Sequence, residues 1–265
     1  MTDTSERKVA IVTGSATGVG AAAAIMLAER NCNVVINYTR SKDEAEATAE
    51  TCRSKGVEAI AFQANVANDD DCKAMAKAAV DAWGRIDYLI NNAARTKFNP
   101  YPNLDGIDKQ DFLDIYEVNV VGAYQMIRAC EPHMRAVGKG AVVNDSSIGG
   151  VTGIASSIPY AASKAALNLM TKSLAHVLGP EIRINTVVPG MIQTRWLKGG
   201  MTDEQYEAML TNTKEMLPLK EVATSEQIAE VLIWFLEGAS LVTGETLIVD
   251  SGLHLGQLPA YSKGE

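Results

Sequence analysis

The sequence contains no long apolar run, although 47% of its 265 residues are hydrophobic. A membrane-spanning helix needs about 18 or more consecutive apolar residues, so the chain is not expected to cross a membrane. The segment from Met1 to Lys8 is polar and charged, and it offers no apolar core for a secretory signal. A cytoplasmic location is therefore the expectation.

Cysteine and histidine are scarce and scattered. No pair of cysteines shows the C-x-x-C spacing of a zinc or redox motif, and the histidines show no metal-ligand spacing. These residues are Cys32, Cys52, Cys72, Cys130, His133, His176 and His254. We therefore expect free thiols in a reducing compartment and no metal site.

Basic residues are also fewer than acidic ones. The chain carries 24 basic residues against 32 acidic ones, a net charge of −8 at pH 7. A nucleic-acid-binding protein needs a basic face to meet the phosphates, so this class of function is not expected. The length and the apolar content instead suit one α/β domain over residues 1–265 with a sizeable core.

Short apolar runs alternate with helix-forming stretches along the whole chain. The predicted strands are Val9–Val12, Val34–Asn37, Ala59–Phe62, Tyr88–Ile90, Ala141–Val143, Ile184–Val188 and Thr246–Val249. The predicted helices are Ala21–Arg30, Asp43–Lys55, Asp69–Trp83, Phe112–Val137, Ala161–Leu178 and Ser225–Leu236. This alternation is typical of a doubly wound Rossmann fold, here a seven-stranded parallel sheet with helices on both faces. The long connection 190–217, rich in Met and Trp, is interpreted as a substrate lid.

A glycine-rich turn follows the first predicted strand. The glycines at positions 14, 18 and 20 have the spacing G-x-x-x-G-x-G and precede the Ala-rich helix. Such a turn lets the backbone approach a phosphate, while the helix start offers free N–H groups and a partial positive charge. The sequence therefore predicts a dinucleotide site at this turn.

Tyr160 and Lys164 stand four positions apart in a predicted helix, so both side chains lie on the same face. A tyrosine hydroxyl has a pKa of about 10 in isolation. A nearby positive charge favours the phenolate and lowers that pKa. We interpret the pair as a general acid/base.

Together with these two motifs, further ones occur in a fixed order along the chain, and the sequence resembles the short-chain dehydrogenase/reductase family in its compact single-domain branch. The motifs are Thr13 to Gly20, Asn91-Asn92-Ala93-Ala94, Asn119, Ser147, Tyr160, Lys164, Pro189-Gly190 and Thr194. The resemblance implies hydride transfer between a nicotinamide cofactor and a carbonyl or secondary alcohol.

The resemblance also implies a role for each catalytic candidate. Tyr160 would exchange a proton with the carbonyl oxygen, and Ser147 would polarise the same oxygen. Lys164 would lower the pKa of Tyr160 and hold the nicotinamide ribose, and Asn119 would support a water leading to Lys164. The predicted cofactor-binding residues are Gly14, Ser15, Thr17, Gly18, Val19, Gly20, Tyr38, Arg40, Asn65, Val66, Asn92, Ala93, Ala94, Tyr160, Lys164, Pro189, Gly190, Ile192 and Thr194.

Three positions depart from the family pattern. Ala94 stands where relatives usually have Gly, and Asn65 stands where they often have Asp beside the adenine. The amide oxygen of Asn65 can still accept a hydrogen bond. Asp145 is unexpected at the end of an apolar strand, and the sequence offers no reason for it.

The end of the second predicted strand bears on the choice of cofactor. NAD enzymes carry an acidic residue there for the ribose 2′-hydroxyl. This chain has Asn37-Tyr38-Thr39-Arg40-Ser41, in which Arg40 is suited to a 2′-phosphate. NADP(H) is therefore favoured over NAD(H).

Several functions stay open for the substrate. The apolar lid suits a hydrophobic carbonyl compound, whereas reduction of a 3-oxoacyl-[acyl-carrier-protein] and oxidation of a sugar or polyol are alternatives. A non-catalytic NADP-binding sensor is an alternative from another class, although it would not need Ser147, Tyr160 and Lys164 together. The helices 112–137 and 161–178 carry apolar residues on more than one face, and relatives commonly form tetramers through them, so we expect a homotetramer.

Overall fold

The computed structural model describes residues 7–199 and 201–256. Residues 1–6 and 257–265 of the predicted domain, and position 200 of the predicted lid, lie outside the described residues. The strands are β1 Val9–Val12, β2 Asn33–Tyr38, β3 Ala59–Gln63, β4 Tyr88–Asn91, β5 Gly140–Asp145, β6 Ile182–Pro189 and β7 Thr246–Val249. Each observed strand includes the whole strand predicted from the sequence, and its ends differ from the predicted ends by at most a few residues.

Helices connect successive strands. The longer ones are α1 Gly18–Glu29, α2 Lys42–Ser54, α3 Asp69–Trp83, α4 Lys109–Tyr116, α5 Ala123–Val137, α7 Ile158–Leu178, α9 Asp203–Met216 and α10 Ser225–Glu237. The single-turn ones are α6 Gly149–Thr152 and α8 Arg195–Lys198. Across residues 7–199 and 201–256, every helix is too short or too polar to span a lipid bilayer.

All seven strands pair in parallel, in the order β3-β2-β1-β4-β5-β6-β7. The predicted doubly wound sheet is thus confirmed. The strand order reverses at β1, which pairs with β2 on one side and β4 on the other. Ligands of such sheets bind beyond the carboxyl ends of the strands at this switch point.

The core has two layers because neighbouring strand residues face opposite sides of the sheet. In β1, Ala10 and Val12 pack with α1, α2 and α10. The alternate residues Val9 and Ile11 pack with α3 and α5. Helices therefore cover both faces, and the strand ends are held rigidly.

The segment predicted as one helix from Phe112 to Val137 contains a break in its hydrogen-bonding pattern. It begins earlier, at Lys109, where Asp108 forms a capping box with Asp111. Between α4 and α5 it passes through a π-helical turn over Glu117–Gly122. Turns of this kind occur mostly inside α-helices and often near functional sites.

Candidate active site

The glycine turn after β1 needs glycine for two reasons, its backbone angles and its close packing. Gly14 and Gly18 have positive φ angles of 62° and 63°, a region that L-residues with a Cβ rarely enter. A Cβ at Gly20 would lie 2.6 Å from the Asn92 amide nitrogen and 2.7 Å from the Gly14 carbonyl oxygen. The close packing of this turn therefore depends on glycine.

The helix α1 starts within this turn. Its N-cap residue, Thr17, makes no side-chain hydrogen bond to the first turn, which also lacks an acidic residue. Within the described chain, the first N–H groups of α1 are thus available to a ligand. Free N–H groups at the positive end of a helix dipole bind phosphate, so the turn fits the pyrophosphate of a dinucleotide.

Polar side chains behind the turn hold its shape. The Ser15 hydroxyl donates to the Val12 carbonyl at 2.6 Å and accepts from the Asn37 N–H at 2.9 Å. The Asn37 side chain accepts from the Gly14 N–H at 2.9 Å. From the loop after β4, the Asn92 amide donates to the carbonyl of Gly14 at 2.9 Å. Ser15 thus supports the turn from below.

A cavity of about 990 Å³ extends from the glycine turn to Tyr160. The predicted site residues that line it are Gly14, Thr17, Gly18, Val19, Arg40, Asn65, Val66, Asn92, Ala93, Ala94, Ser147, Tyr160, Lys164, Pro189, Gly190, Ile192 and Thr194. Ala94, the residue in place of the usual glycine, is accommodated in this wall. One continuous space therefore joins the candidate phosphate site to the candidate catalytic groups.

Four predicted residues do not line this cavity: Ser15, Gly20, Tyr38 and Asn119. Residues that the sequence did not single out for binding, but that line it, are Asn37, Thr39, Ala67, Arg95, Thr96, Asp114, Glu117, Val118, Asp145, Ser146, Met191, Arg195, Trp196 and Leu197. Several of these come from α4 and from the loop after β4, which only the fold brings to the site.

Tyr160 and Lys164 lie on the first turns of α7, where Pro159 is tolerated because the first helical residues need no intrahelical N–H partner. Both side chains are buried. Ser147 follows β5 and lies near enough to Tyr160 to lower the pKa of its phenol. The predicted constellation of Ser147, Tyr160 and Lys164 therefore meets at one end of the cavity.

Lys164 points toward the end of β5. Its ammonium donates to the backbone carbonyl of Asp145 at 2.7 Å and lies 5.6 Å from the centre of the Tyr160 ring. Burial lowers the pKa of Lys164 to about 8, and the negative charge of Asp145 opposes that shift. Lys164 is thus mainly an ammonium at neutral pH, but it loses its proton more readily than an exposed lysine.

The pKa of Tyr160 is raised in this structure, first by burial and then by Asp145, while the Ser147 hydrogen bond lowers it. The sequence-based prediction was a lowering by Lys164, and in this arrangement it is wrong. Desolvation disfavours the phenolate, and the ammonium bonds to Asp145 rather than to the phenol oxygen. Tyr160 is therefore protonated at neutral pH.

Asn119 lies in the π-helical turn and is fully engaged with protein groups. Its amide nitrogen donates to the Ser163 hydroxyl at 2.9 Å and to the Arg95 carbonyl at 3.0 Å, and its oxygen accepts from the Arg95 N–H at 2.7 Å. The side chain thus ties the loop after β4 to α7. A role in a water path to Lys164 stays a prediction.

Asp145 ends β5 and is buried beside Lys164. Its Oδ1 atom has no hydrogen-bond partner among the described residues. Burial raises the pKa of its carboxyl group to about 6, and Lys164 acts in the opposite direction. The sequence marks this residue only as unexpected, because its burial follows from the fold.

Part of the predicted lid covers the catalytic end. The Trp196 ring in α8 lies 5.7 Å from the Tyr160 ring and 6.4 Å from the Phe98 ring, centre to centre, in edge-to-face arrangements. Further along, α9 packs through a small apolar cluster of Leu210 and Leu217. Trp196 thus holds the first part of the connection against the body beside Tyr160.

Comparisons with known proteins agree with this geometry. A family model described as enoyl-(acyl carrier protein) reductase matches residues 14–254. The chain is 36% identical over 250 residues to a 3-oxoacyl-[acyl-carrier-protein] reductase of Staphylococcus epidermidis, covering 94% of this chain and 99% of that protein. It is 35% identical over 260 residues to a 7α-hydroxysteroid dehydrogenase of Clostridium sardiniense, covering 97% of each.

A solved structure supports the same assignment. A crystal structure described as a short-chain dehydrogenase/reductase from Burkholderia xenovorans matches with a TM-score of 0.89 and 36% identity, covering 95% of this chain and 99% of that one. The chain belongs to the short-chain dehydrogenase/reductase family and is an oxidoreductase.

Proposed function

We propose that this protein reduces a carbonyl compound that carries an apolar substituent, with NADPH as the hydride donor. The observation that carries the proposal is the meeting of Ser147, Tyr160 and Lys164 at the end of the cavity that starts at the glycine turn. A bound nicotinamide dinucleotide would supply the hydride. The protein groups supply binding, polarisation and the proton.

Proton delivery follows from the state of Tyr160. The phenol is protonated at neutral pH, since its usual pKa is about 10 and burial raises it further, so it can donate to a carbonyl oxygen. The Ser147 hydroxyl beside it would donate a second hydrogen bond to the same oxygen.

The preference for NADP(H) is supported by the residues after β2. Thr39 and Arg40 line the cavity there, and this part of the chain contributes no carboxylate to its wall. A second cation, Arg195 of α8, lines the same cavity and lies 3.5 Å from Glu44. A guanidinium meets a phosphate with charge-assisted hydrogen bonds.

Replacing Arg40 by alanine is expected to weaken NADPH binding about tenfold, because a hydrogen bond to a charged group contributes roughly 1.5–3 kcal/mol. NADH binding should stay unchanged, since NADH lacks the 2′-phosphate. Titration of both cofactors against the wild-type and Arg40→Ala proteins measures the two effects. Equal affinities for NADPH in both proteins would contradict the NADP(H) assignment.

The aromatic rings of Trp196 and Phe98 support an apolar substrate. They stand next to Tyr160, where the groups attached to the carbonyl would lie. The connection 190–217 would then act as a lid that excludes water. A sugar or polyol would find few polar side chains on this aromatic wall.

Reduction of a 3-oxoacyl group on acyl carrier protein is the second candidate, supported by the activity that the Staphylococcus relative's name states. Carrier proteins are acidic and prefer a basic rim. Here Arg95 and Lys97 after β4 pair with Asp114 and Asp111, each at 2.6 Å. This pairing reduces the positive charge offered to a carrier protein.

A panel of carbonyl compounds, assayed through NADPH absorbance, tests the two candidates. Hydrophobic ketones and 3-oxoacyl thioesters of a small thiol would be turned over if the apolar wall decides specificity. Turnover only of carrier-protein-bound thioesters would favour the second candidate. Sugars and polyols assayed with NADP⁺ complete the panel, and turnover of those alone would contradict both.

The homotetramer is proposed from apolar side chains left exposed on two neighbouring helices. Leu169 and Val177 of α7 are 66% and 62% exposed, and Tyr124 of α5 is 44% exposed. Exposed apolar surface of this kind marks an association site. A cytoplasmic location, predicted from the sequence, is proposed as well.

Sedimentation at micromolar concentration should give four times the chain mass of 28.3 kDa. Leu169→Glu places a charge in the proposed interface and should yield smaller species. Ala74→Glu adds the same charge on an exposed position of α3 and should leave the mass unchanged. A wild-type protein that sediments as a monomer would contradict the proposal.

A further inference from the structure

Asp145 is a buried carboxylate in the wall of the cavity, where it lies with Ser147, Tyr160 and Lys164. It is 9% exposed, and its Oδ1 atom has no hydrogen-bond partner in the described chain. Burial of an ionisable group without full pairing destabilises a fold. The neighbouring Asn144, in contrast, bonds to Thr171 and Asn91. The burial of Asp145 is therefore better explained by a function in the cavity than by a contribution to the stability of the core.

The alternation of side chains along β5 shows on which side of the sheet the Asp145 side chain lies. Side chains alternate along β5. Val143, two residues earlier, packs in the same core layer as α1, whereas Asn144 bonds to Thr171 of α7. The Asp145 side chain thus leaves the sheet on the α1 side, at the end of the strand.

The charged surroundings of Asp145 are simple. From α7, Lys164 and Tyr160 are the titratable groups that interact with it. On the adjacent strand β6, its register partner is Val187, which does not ionise. Lys164 bonds to the Asp145 backbone carbonyl and not to the carboxyl group, while the charge of the carboxyl group still acts on the ammonium.

Hydride transfer requires contact between the nicotinamide ring and a carbon whose oxygen meets Tyr160. The ring must therefore occupy the part of the cavity near Tyr160, Ser147 and Lys164. Asp145 lines the same cavity, and its backbone carbonyl accepts a hydrogen bond from Lys164. The oxidised ring carries a positive charge and the reduced ring is neutral. The Lys164 ammonium repels the oxidised ring, and a carboxylate nearby opposes this repulsion.

We propose that Asp145 holds a negative charge against the nicotinamide ring, and thereby favours binding of NADP⁺ over NADPH. The inference rests on the proposed function, since it takes the nicotinamide cofactor as the ligand. Because the ring becomes positive as the hydride leaves, the same charge assists carbonyl reduction. Asp145 is thus a further residue of the cofactor pocket, one that the family pattern does not contain.

Asp145→Asn tests this inference, because it keeps the size of the side chain and removes its charge. Dissociation constants for NADP⁺ and NADPH can be measured through the intrinsic tryptophan fluorescence, to which the cavity-lining Trp196 contributes. At pH 7.5 the carboxyl group, with a pKa of about 6, is ionised, and Lys164, with a pKa of about 8, is mainly protonated. The ratio of the NADP⁺ constant to the NADPH constant should rise about tenfold in the variant.

The pH dependence of the wild type gives an independent readout that needs no variant. As the pH falls through about 6, Asp145 takes up a proton and loses its charge. The wild-type ratio should then rise toward the ratio of Asp145→Asn, which should itself change little. Tyr160 and Lys164 keep their protons over this range.

Binding of 2′-phospho-ADP-ribose, which lacks the nicotinamide, is the matched control and should be equal in both proteins. An equal weakening of NADP⁺ and NADPH, or a wild-type ratio independent of pH, would overturn the role of Asp145. Failure of the wild type to bind either cofactor would overturn the proposed function instead, so the two outcomes are distinguishable.

Discussion

Tyr160→Phe is expected to lower turnover by about 10²–10⁴-fold, the usual contribution of a general acid/base. The substitution removes the phenol oxygen proposed to deliver the proton and keeps the ring that packs against Trp196. NADPH affinity should therefore stay close to the wild-type value. Steady-state rates on a substrate from the carbonyl panel, together with fluorescence titration of NADPH, measure both quantities.

Tyr116→Phe serves as the control, because Tyr116 lies in α4 and is not among the cavity-lining residues. Its turnover should match that of the wild type. If Tyr160→Phe kept most of its activity, another acid would have to deliver the proton. Asp145, whose pKa is raised to about 6, would be the first to examine. If the wild-type protein bound NADPH but turned over no substrate of the panel, the result would instead favour a non-catalytic NADP-binding sensor.

The architecture could be read from the sequence because buried parallel strands are continuous apolar runs between helix formers. The bounds of β1, β7 and α3 agree with the prediction. The glycine turn was also predictable, since its spacing reflects close backbone contacts, such as that of Gly20 with Gly14. Local patterns determine these features.

Features that depend on the hydrogen-bonding register or on distant contacts were not predictable. The π-helical turn at Glu117–Gly122 has no local signature in the sequence, yet it positions Asn119 against Arg95. A sequence motif also shows the order of residues along the chain, but it does not show in which direction each side chain points. Ser15 belongs to the glycine motif but bonds to Val12 behind the turn.

Electrostatic properties were the hardest to predict. The spacing of Tyr160 and Lys164 correctly placed them together, but the shift of the Tyr160 pKa depends mainly on burial. Burial comes from α7, β5 and the lid, which are far apart in sequence. For the same reason Asp145 could be recognised as unusual, while its charge toward Lys164 became evident only in the folded chain.

Lys164→Met is expected to reduce turnover by about 10²–10⁴-fold and also to weaken NADPH binding. The ammonium is buried, and family resemblance gives it the nicotinamide ribose as a ligand. Methionine keeps much of the apolar volume and removes the charge. The variant thus differs from Tyr160→Phe, which should affect turnover alone, and NADPH titration separates the two.

The pH profile gives the sharper test of Lys164. Its pKa is lowered to about 8 by burial, so the ammonium is charged below that pH and is lost as the pH rises through it. Wild-type kcat/KM should therefore fall above about pH 8, and this decline should be absent from the residual activity of Lys164→Met. Lys172→Met removes an exposed lysine from the same helix and should keep the wild-type profile. Persistence of the decline in Lys164→Met would assign it to another group, and the ammonium would then have no part in the titration of the active site.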